Sequence, residues 1–309
     1  MKVINEKVIS YFLALALLYA GPALSRPFDD LMASGFIRVG VYENFPPYSY
    51  KDEQGQPRGV DVELAKLIAN EMDLSLELFW MLPDEDLADD LRNYLWRGHV
   101  LDHDHRHERL SGKKVADLLL RIPYDKNFNY ARGYIGEGVF AYQNDLVVMM
   151  MPYQRESWAL AHDIGRLEHV RTLAVFQYHP VAVEMETVPA FMLSSVFNGA
   201  LRDQTQFFRS ASEAFNQLTE GNVAAAIGLR GEIEWFLNQS NTSSLQKGET
   251  VFPAMGKQQW DVGIAVREAD RQLGYLVEGI LEPLVMSGEI AEIFERHGIS
   301  WEIPSFYDF

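Results

Sequence analysis

Between residues 36 and 80 the hydrophobic and polar positions follow first a strand pattern, then a helix pattern, then a strand pattern again. Residues 36–42 are apolar enough for a buried strand, and the two prolines that follow predict its end. Apolar residues then recur at helical spacing over 60–72, and 75–80 returns to a strand pattern. A strand–helix–strand unit of this length favours a parallel pair in an α/β sheet. Ligands of such sheets bind beyond the carboxyl ends of the strands, where residues 45–48 would lie.

The rest of the chain continues this alternation of strands and helices. Further strands are predicted over 115–122, 145–151, 170–177, 206–209, 223–227 and 260–267. Further helices are predicted over 83–96, 186–197, 212–218, 233–237 and 268–286, and a last helix restarts at 287. Pro283 is expected to end or kink the long helix that contains it. The order of elements indicates an α/β fold with enough residues for two domains.

The motifs of the first unit are specific enough to be compared with known families. Val39-Gly40-Val41, then Phe45-Pro46-Pro47-Tyr48, then Gly55 and Gly59-Val60-Asp61-Val62, resemble the opening of family 3 of the bacterial periplasmic solute-binding proteins. The resemblance implies the type II periplasmic binding protein fold, with two Rossmann-like α/β lobes joined by two crossover segments and the ligand between them. The implied domains are 27–150 (first part of lobe 1), 151–260 (lobe 2) and 261–309 (return to lobe 1 and C-terminal helices).

The first 25 residues have the pattern of a secretory signal peptide. Lys2 and Lys7 precede an apolar run over 8–20, and small residues ending at Ser25 form the cleavage pattern. An uncleaved membrane anchor is the alternative interpretation of the same run. The sequence contains no cysteine, which rules out a lipoprotein anchor and disulfide bonds. The mature protein is therefore expected to be periplasmic, unanchored and monomeric.

The formal net charge of −17 limits the classes of partner. An acidic surface argues against binding to nucleic acid or to anionic membranes. The expected partners are a small-molecule ligand and either an ABC transporter permease or a periplasmic dehydrogenase.

Both ends of the family's amino-acid clamp depart from the family pattern in this chain. The resemblance implies an arginine for the ligand α-carboxylate after the strand at 115–122, but Ile122-Pro123-Tyr124-Asp125 stands there. It also implies an aspartate for the ligand ammonium after the strand at 223–227, where Gly228 or Leu229 stands. These departures predict a small polar or anionic ligand that is not a standard amino acid.

Aromatic residues and arginines near the implied cleft are the candidate ligand-binding residues. Aromatic rings supply stacking area, and an arginine fixes an anionic or polar group. The candidates are Tyr42, Phe45, Tyr48, Arg121, Tyr124, Tyr178, His179 and Arg230. Phe45 and Tyr48 rank first because they belong to the family motif, and an ordinary structural role is the alternative for each residue.

A histidine-rich segment interrupts the alternation between residues 98 and 108. His99, His103, His105 and His107 are half of the chain's eight histidines, and carboxylates lie between them. Imidazole with carboxylate suits zinc, copper or nickel, so the segment is a candidate metal site. The alternative is a solvated insertion whose histidines reflect composition alone. No other cofactor is expected.

Two other functions compete with solute binding. The alanine-rich strand at 223–227 and the helix after it resemble a branch of accessory proteins of quinoprotein alcohol dehydrogenases, including those of methanol oxidation. That resemblance implies an interaction protein of a dehydrogenase. An enzyme is not expected, because no nucleophile elbow, HExxH motif or phosphate loop occurs. Glu43, Asp125 and Glu232 would be the residues for acid–base chemistry.

Overall fold

A computed structural model describes residues 28–84, 86–98, 114–124, 132–134, 140–142, 146–249, 252 and 256–308. The predicted signal peptide, the four histidines from His99 to His107 and Asp125 lie outside these residues. Within the described part of the chain, no helix is both long enough and apolar enough to cross a membrane.

Thirteen strands and eight α-helices occur in the described residues. The strands are β1 (Phe36–Tyr42), β2 (Tyr50–Lys51), β3 (Pro57–Arg58), β4 (Ser75–Met81), β5 (Leu118–Pro123), β6 (Arg132–Tyr134), β7 (Phe140–Tyr142), β8 (Val147–Asp163), β9 (Val181–Glu184), β10 (Thr205–Phe208), β11 (Ala225–Leu229), β12 (Leu245–Gly248) and β13 (Gln259–Arg267). The helices are α1 (Phe28–Ser34), α2 (Val60–Glu71), α3 (Leu87–Leu91), α4 (Val188–Gly199), α5 (Ala211–Thr219), α6 (Arg230–Gln239), α7 (Arg271–Ser287) and α8 (Glu289–Arg296).

The two lobes share strands in the order β10-β9-β11-β8-β13-β5-β1-β4, with β12 also paired to β8. Lobe 1 contains β4, β1, β5 and the first part of β8, and β1 and β4 are parallel as predicted. Lobe 2 contains β9, β10, β11 and the end of β8. This is the α/β two-lobed fold that the resemblance implied.

Two long strands join the lobes. The first part of β8 pairs with β13 as far as Ser157, and its end pairs with β11 and β12. The implied boundary between residues 150 and 151 therefore lies inside a continuous strand. The register of β13 against β8 shifts between Val262 and Ile264, opposite Met151, which has a φ of 45°. At this point the regular pairing between β8 and β13 is interrupted.

Separate hydrophobic cores fill the two lobes. The core of lobe 1 contains the buried faces of β1 and α2 and the C-terminal helices. In β1, residues 36–39 alternate between half-buried and buried positions, and residues 40 and 41 are both buried. The apolar residues of α2 recur at helical spacing on the face that packs against β1. Two further clusters in lobe 2 pack on the two faces of β9 and β11. The first unit of the fold thus follows directly from its hydrophobic pattern.

The prediction of a strand over 170–177 is wrong. Leu173–Gln177 form a 3₁₀ helix, and the strand of this region is β9, which follows Pro180. Tyr178 and His179 consequently precede the strand instead of following it. Since β9 and β11 are parallel, these two residues lie at the edge of the sheet opposite the carboxyl ends of the strands.

Of the two effects expected of Pro283, an end or a kink, the end does not occur. The helix α7 continues through Pro283 to Ser287, and Gly288, with a φ of 87°, ends it. Glycine suits this left-handed cap position because it lacks a Cβ.

The C-terminal tail, residues 298–308, lies along the two strands that join the lobes. Trp301 donates its Nε1–H to the Tyr153 carbonyl at 2.8 Å, and the Arg155 N–H donates to the Glu302 carbonyl at 3.0 Å. Asp261 accepts bonds from the Ser305 and Phe306 backbone N–H groups at 2.8 and 3.0 Å. The aromatic tail thus docks on the protein's own joining strands.

Candidate functional site

An inter-lobe pocket of about 280 Å³ opens where the carboxyl ends of β1, β4, β5 and β11 meet the joining strands. Its lining is Tyr42, Phe45, Asp84, Asp86, Leu87, Asp90, Arg121, Pro123, Glu156, Leu229, Trp260 and Val262. Parallel strands bring their carboxyl ends to one edge of a sheet, so residues distant in sequence converge there. Pockets of this kind and place are the usual binding sites of α/β proteins.

Carboxylates dominate the charge of the inter-lobe pocket. Four acidic side chains and one arginine belong to its described lining. The arginine, Arg121, is already paired, because its Nε and Nη2 donate to the two carboxylate oxygens of Asp61 at 2.6 and 3.0 Å. The charge left for a ligand is therefore negative, which favours a cation.

Asp90 is one of two buried acids in the pocket wall, together with Glu156. Its Oδ2 accepts the Tyr42 hydroxyl at 2.7 Å, and its Oδ1 accepts the Asp84 N–H at 2.7 Å. Burial, with repulsion from Asp84 and Asp86, raises the pKa of the Asp90 carboxyl to about 6 against these hydrogen bonds. A bound cation would favour the ionised form of Asp90.

A buried ion pair supports the pocket from behind. Asp61 and Arg121 are 1% and 6% exposed. The Tyr153 hydroxyl donates to Asp61 at 3.1 Å and accepts the Arg121 backbone N–H at 2.9 Å. The Arg121 guanidinium also lies 3.3 Å from the ring centroid of Tyr48. Burial alone would lower the pKa of Arg121, but attraction to Asp61 holds that pKa above its ordinary value.

Tyr48 also links lobe 1 to the joining strand and to lobe 2. It is fully buried, and its hydroxyl donates to Glu156 Oε2. Gly231, in the first turn of α6, packs directly on this hydroxyl, and a Cβ at position 231 would overlap it. This contact between the lobes therefore requires glycine at position 231.

One face of α6 binds the C-terminal tail. Arg230 Nη1 donates to the Ser300 carbonyl at 2.8 Å, and its Nη2 donates to the Arg155 carbonyl at 2.9 Å. Glu234 Oε2 accepts the Ser300 N–H at 2.8 Å, and Asn238 donates to the Gly298 carbonyl. Residues four apart share one face of a helix, so this stripe holds lobe 2 against the tail.

The structure brings only part of the predicted site together. Tyr42, Phe45 and Arg121 line the inter-lobe pocket. Of the other predicted residues, Tyr48 lies behind the pocket and Arg230 binds the C-terminal tail. Tyr124 packs against Phe306, with ring centroids 5.7 Å apart. Tyr178 and His179 precede β9 at the opposite edge of the sheet. Tyr178 is 79% exposed, which agrees with a position away from the cleft.

The sequence interpretation missed the four acidic residues of the pocket lining and Trp260. Asp84 and Asp86 follow β4, so the rule that placed Phe45 after β1 also applies to them. Asp86 caps the helix that carries Asp90, because its side chain accepts the Asp89 N–H at 2.9 Å. An acidic segment directly after a parallel strand was the signal that could have identified them.

Glu43 and Glu232, the two described acids of the three considered for acid–base chemistry, have different surroundings. Glu43 pairs with Lys51 at 3.2 Å, Asp125 lies outside the described residues, and Glu232 is buried at the start of α6. Burial, with repulsion from Glu184, raises the pKa of Glu232 to about 8, and burial raises the pKa of Glu184 to about 7.

Glu232→Gln should make the protein more stable at alkaline pH. Because the pKa of Glu232 is higher in the folded than in the unfolded protein, its contribution to the free energy of unfolding falls as pH rises from about 4 to about 8. At pH 9 we expect the variant to gain on the order of 1–3 kcal/mol over the wild type, and nearly nothing at pH 4. Urea unfolding at both pH values measures this.

Glu295→Gln, at an exposed position of α8, is the control and should leave the pH dependence unchanged. A Glu232→Gln variant whose stability follows the same pH curve as the wild type would contradict the assignment.

Comparison with known proteins agrees with this architecture. Residues 37–93 match the family model described as bacterial extracellular solute-binding proteins, family 3. The match covers β1, α2, β4, α3 and the loop between β1 and α2 that carries Phe45. The resemblance to family 3 of the solute-binding proteins is confirmed. Its members are extracellular, which agrees with the expected export of this chain.

A curated relative extends the similarity to nearly the whole chain. The probable ABC transporter arginine-binding protein ArtJ of Chlamydia trachomatis serovar D is 21% identical over 300 residues, which are 96% of this chain and 98% of ArtJ. This relative is a binding protein of a transporter. It gives no support to the predictions of a ligand other than an amino acid and of a dehydrogenase partner.

Solved structures confirm the type II fold. An ancestral cationic amino acid solute-binding protein, AncCDT-1, superposes with a TM-score of 0.63 at 16% identity, covering 87% of this chain and 98% of that one. The substrate-binding protein AbpA of Streptococcus pneumoniae, bound to L-arginine, superposes with a TM-score of 0.59 at 18% identity, covering 87% and 97%. At these identities the structures show the fold.

Proposed function

We propose that this solute-binding protein captures a small organic cation in the inter-lobe pocket and delivers it to an ABC transporter. The observation that carries the proposal is the charge of the lining, in which four carboxylates face one arginine that Asp61 already neutralises. The proposal replaces the expected anionic ligand, because an anion would meet net repulsion from this lining. ArtJ is described as a probable arginine-binding protein and AbpA is bound to L-arginine, which is also an organic cation.

The pocket differs from an amino-acid site in the groups that would contact a ligand carboxylate. Arg121 is the one cation in the described lining, and its Nε and Nη2 already donate to Asp61. A ligand carboxylate would also meet Asp90 and Glu156 across a pocket of about 280 Å³. The geometry therefore favours a cation without an α-carboxylate, such as an amine or a guanidine, over arginine itself.

Isothermal titration calorimetry of the mature protein tests the proposal. The ligands should be agmatine, which is arginine without its carboxylate, arginine, and citrate as an anion. We expect heat from agmatine, weaker binding of arginine and none of citrate. Tight citrate binding would overturn the proposal, and tighter binding of arginine than of agmatine would restore an amino-acid site.

Asp90 should make the affinity for a cation depend on pH. The cation binds the ionised carboxylate more tightly than the protonated one, so the affinity should be constant above pH 7 and fall by about tenfold in total as the pH drops below the pKa of about 6. Asp90→Asn should weaken binding about tenfold at pH 8 and remove this slope. Titration of both proteins between pH 5 and 8 measures it. An equal slope in wild type and variant would exclude Asp90 as the titrating group.

The proposal that an ABC transporter permease receives the ligand rests on the family and on the similarity to ArtJ. The dehydrogenase accessory function would instead predict co-purification with a periplasmic dehydrogenase and no response to small cations. A pull-down from periplasm separates the two.

A further inference from the structure

The inter-lobe pocket has aromatic walls as well as acids. Tyr42, Phe45 and Trp260 all line it. The rings of Tyr42 and Phe45 meet edge to face with centroids 6.2 Å apart and an interplanar angle of 89°. Trp260 is held on its other side by Trp158, at a centroid distance of 5.0 Å. The three rings are therefore fixed by packing before a ligand arrives.

The carboxylates of the pocket already accept hydrogen bonds from the protein. Asp90 accepts one bond at each oxygen, from Tyr42 and from the Asp84 N–H. Glu156 Oε1 accepts the Ser157 N–H at 2.9 Å, and its Oε2 accepts from Tyr48 and from Gln154 Nε2 at 3.1 Å. These bonds use about half of the lone-pair sites of Asp90 and most of those of Glu156, so few acceptors remain for N–H groups of a ligand. A charge without N–H groups gains from these carboxylates without needing a hydrogen bond.

Aromatic faces attract cations through the ring quadrupole. They bind fully alkylated ammonium groups best, because such groups have no N–H that needs a hydrogen-bond acceptor. Fixed rings, acids engaged by protein donors and a volume of about 280 Å³ together match such a head group. We propose that the pocket selects a fully alkylated ammonium, held against the faces of Tyr42, Phe45 and Trp260 and balanced by Asp90 and Glu156. This inference rests on the proposed function, since it specifies the cation.

Three probes of similar shape separate the contributions of charge, alkylation and size. Choline carries a trimethylammonium head, ethanolamine carries a primary ammonium, and dimethylbutanol is the neutral carbon isostere of choline. In calorimetric titrations at pH 8, we expect choline to bind at least about tenfold more tightly than either of the other two.

Each other outcome has a definite meaning. If ethanolamine or agmatine binds as tightly as choline, the selection for an alkylated head is wrong and the organic-cation function stands. If dimethylbutanol binds as tightly as choline, charge plays no part, and both the inference and the proposed function are wrong. Binding of none of these cations overturns both as well.

Trp260 variants test the aromatic wall within one protein. Trp260→Leu should lower the affinity for choline about tenfold and leave that for ethanolamine within about threefold, while Trp260→Phe should keep most of the preference. The ratio of the two affinities is the readout, because it does not depend on the fraction of folded protein. Phe191→Leu, at a 77% exposed position of lobe 2, is the control and should change neither. An unchanged choline-to-ethanolamine ratio in Trp260→Leu would overturn the role of this ring.

Discussion

Asp61→Asn should lower the free energy of unfolding by about 3–5 kcal/mol, because it leaves the Arg121 guanidinium buried without a counter-charge. Both side chains are nearly inaccessible to solvent, and two hydrogen bonds at 2.6 and 3.0 Å join them. Arg121 also has a φ of 61°, a conformation that non-glycine residues keep only where their surroundings enforce it. Urea unfolding at pH 7 gives the difference from the wild type.

The control for Asp61 is an exposed pair with the same chemistry. Arg271 Nε lies 2.7 Å from Glu268 Oε1, with both side chains about half exposed. Glu268→Gln should therefore cost less than about 1 kcal/mol. Replacing the buried pair together, by Asp61→Leu with Arg121→Met, should recover much of the loss, since apolar residues of similar volume carry no desolvation cost. A double variant less stable than Asp61→Asn would show that the pair is needed for more than mutual neutralisation.

Gly231→Ala should weaken ligand binding by about 10- to 100-fold by preventing full closure of the lobes. The new Cβ would overlap the Tyr48 hydroxyl, which the bond to Glu156 holds in place. Titration with the best cation measures the affinity, and small-angle X-ray scattering should show a larger radius of gyration with ligand than for the wild type. Alanine is itself the better helix former, so a loss cannot be attributed to helix propensity.

Gly279→Ala, in α7, is the matched control. Apart from its chain neighbours and the backbone of its own helix, no atom of the described residues lies within 4 Å of the position that its Cβ would take. This variant should therefore bind as the wild type does and be slightly more stable. Wild-type affinity and scattering from Gly231→Ala would mean that the lobes close without the contact between Gly231 and Tyr48.

The sequence predicted best those elements whose hydrophobic pattern agrees with their local signals. The strand β1 runs over the predicted residues, because the following prolines define its end. The prediction for the region of β9 was wrong for the opposite reason. Residues 173–176 form a continuous run of four apolar residues, whereas the true strand contains only three, so the apolar pattern favoured the wrong segment. That one error moved Tyr178 and His179 to the wrong edge of the sheet.

The site was predicted only where a motif or a strand end pointed to it. Phe45 follows from the motif and from the position after β1. The role of Arg121 could not be predicted, because its partner Asp61 is 60 residues away and looks in the sequence like an ordinary acid of a first helical turn. Trp260 reaches the pocket from a joining strand, whose path depends on the pairing of β13 with β8. Such long-range pairings leave no local pattern.

The position of the C-terminal tail also makes this protein suitable for conversion into an optical sensor. Asp308 pairs with Arg155 on a joining strand at 2.6 Å, and its own side chain is 61% exposed. Since the chain contains no cysteine, a thiol introduced at position 308 would be its single attachment point for an environment-sensitive dye. The emission of that dye would then report rotation between the lobes directly, on a background free of competing thiols.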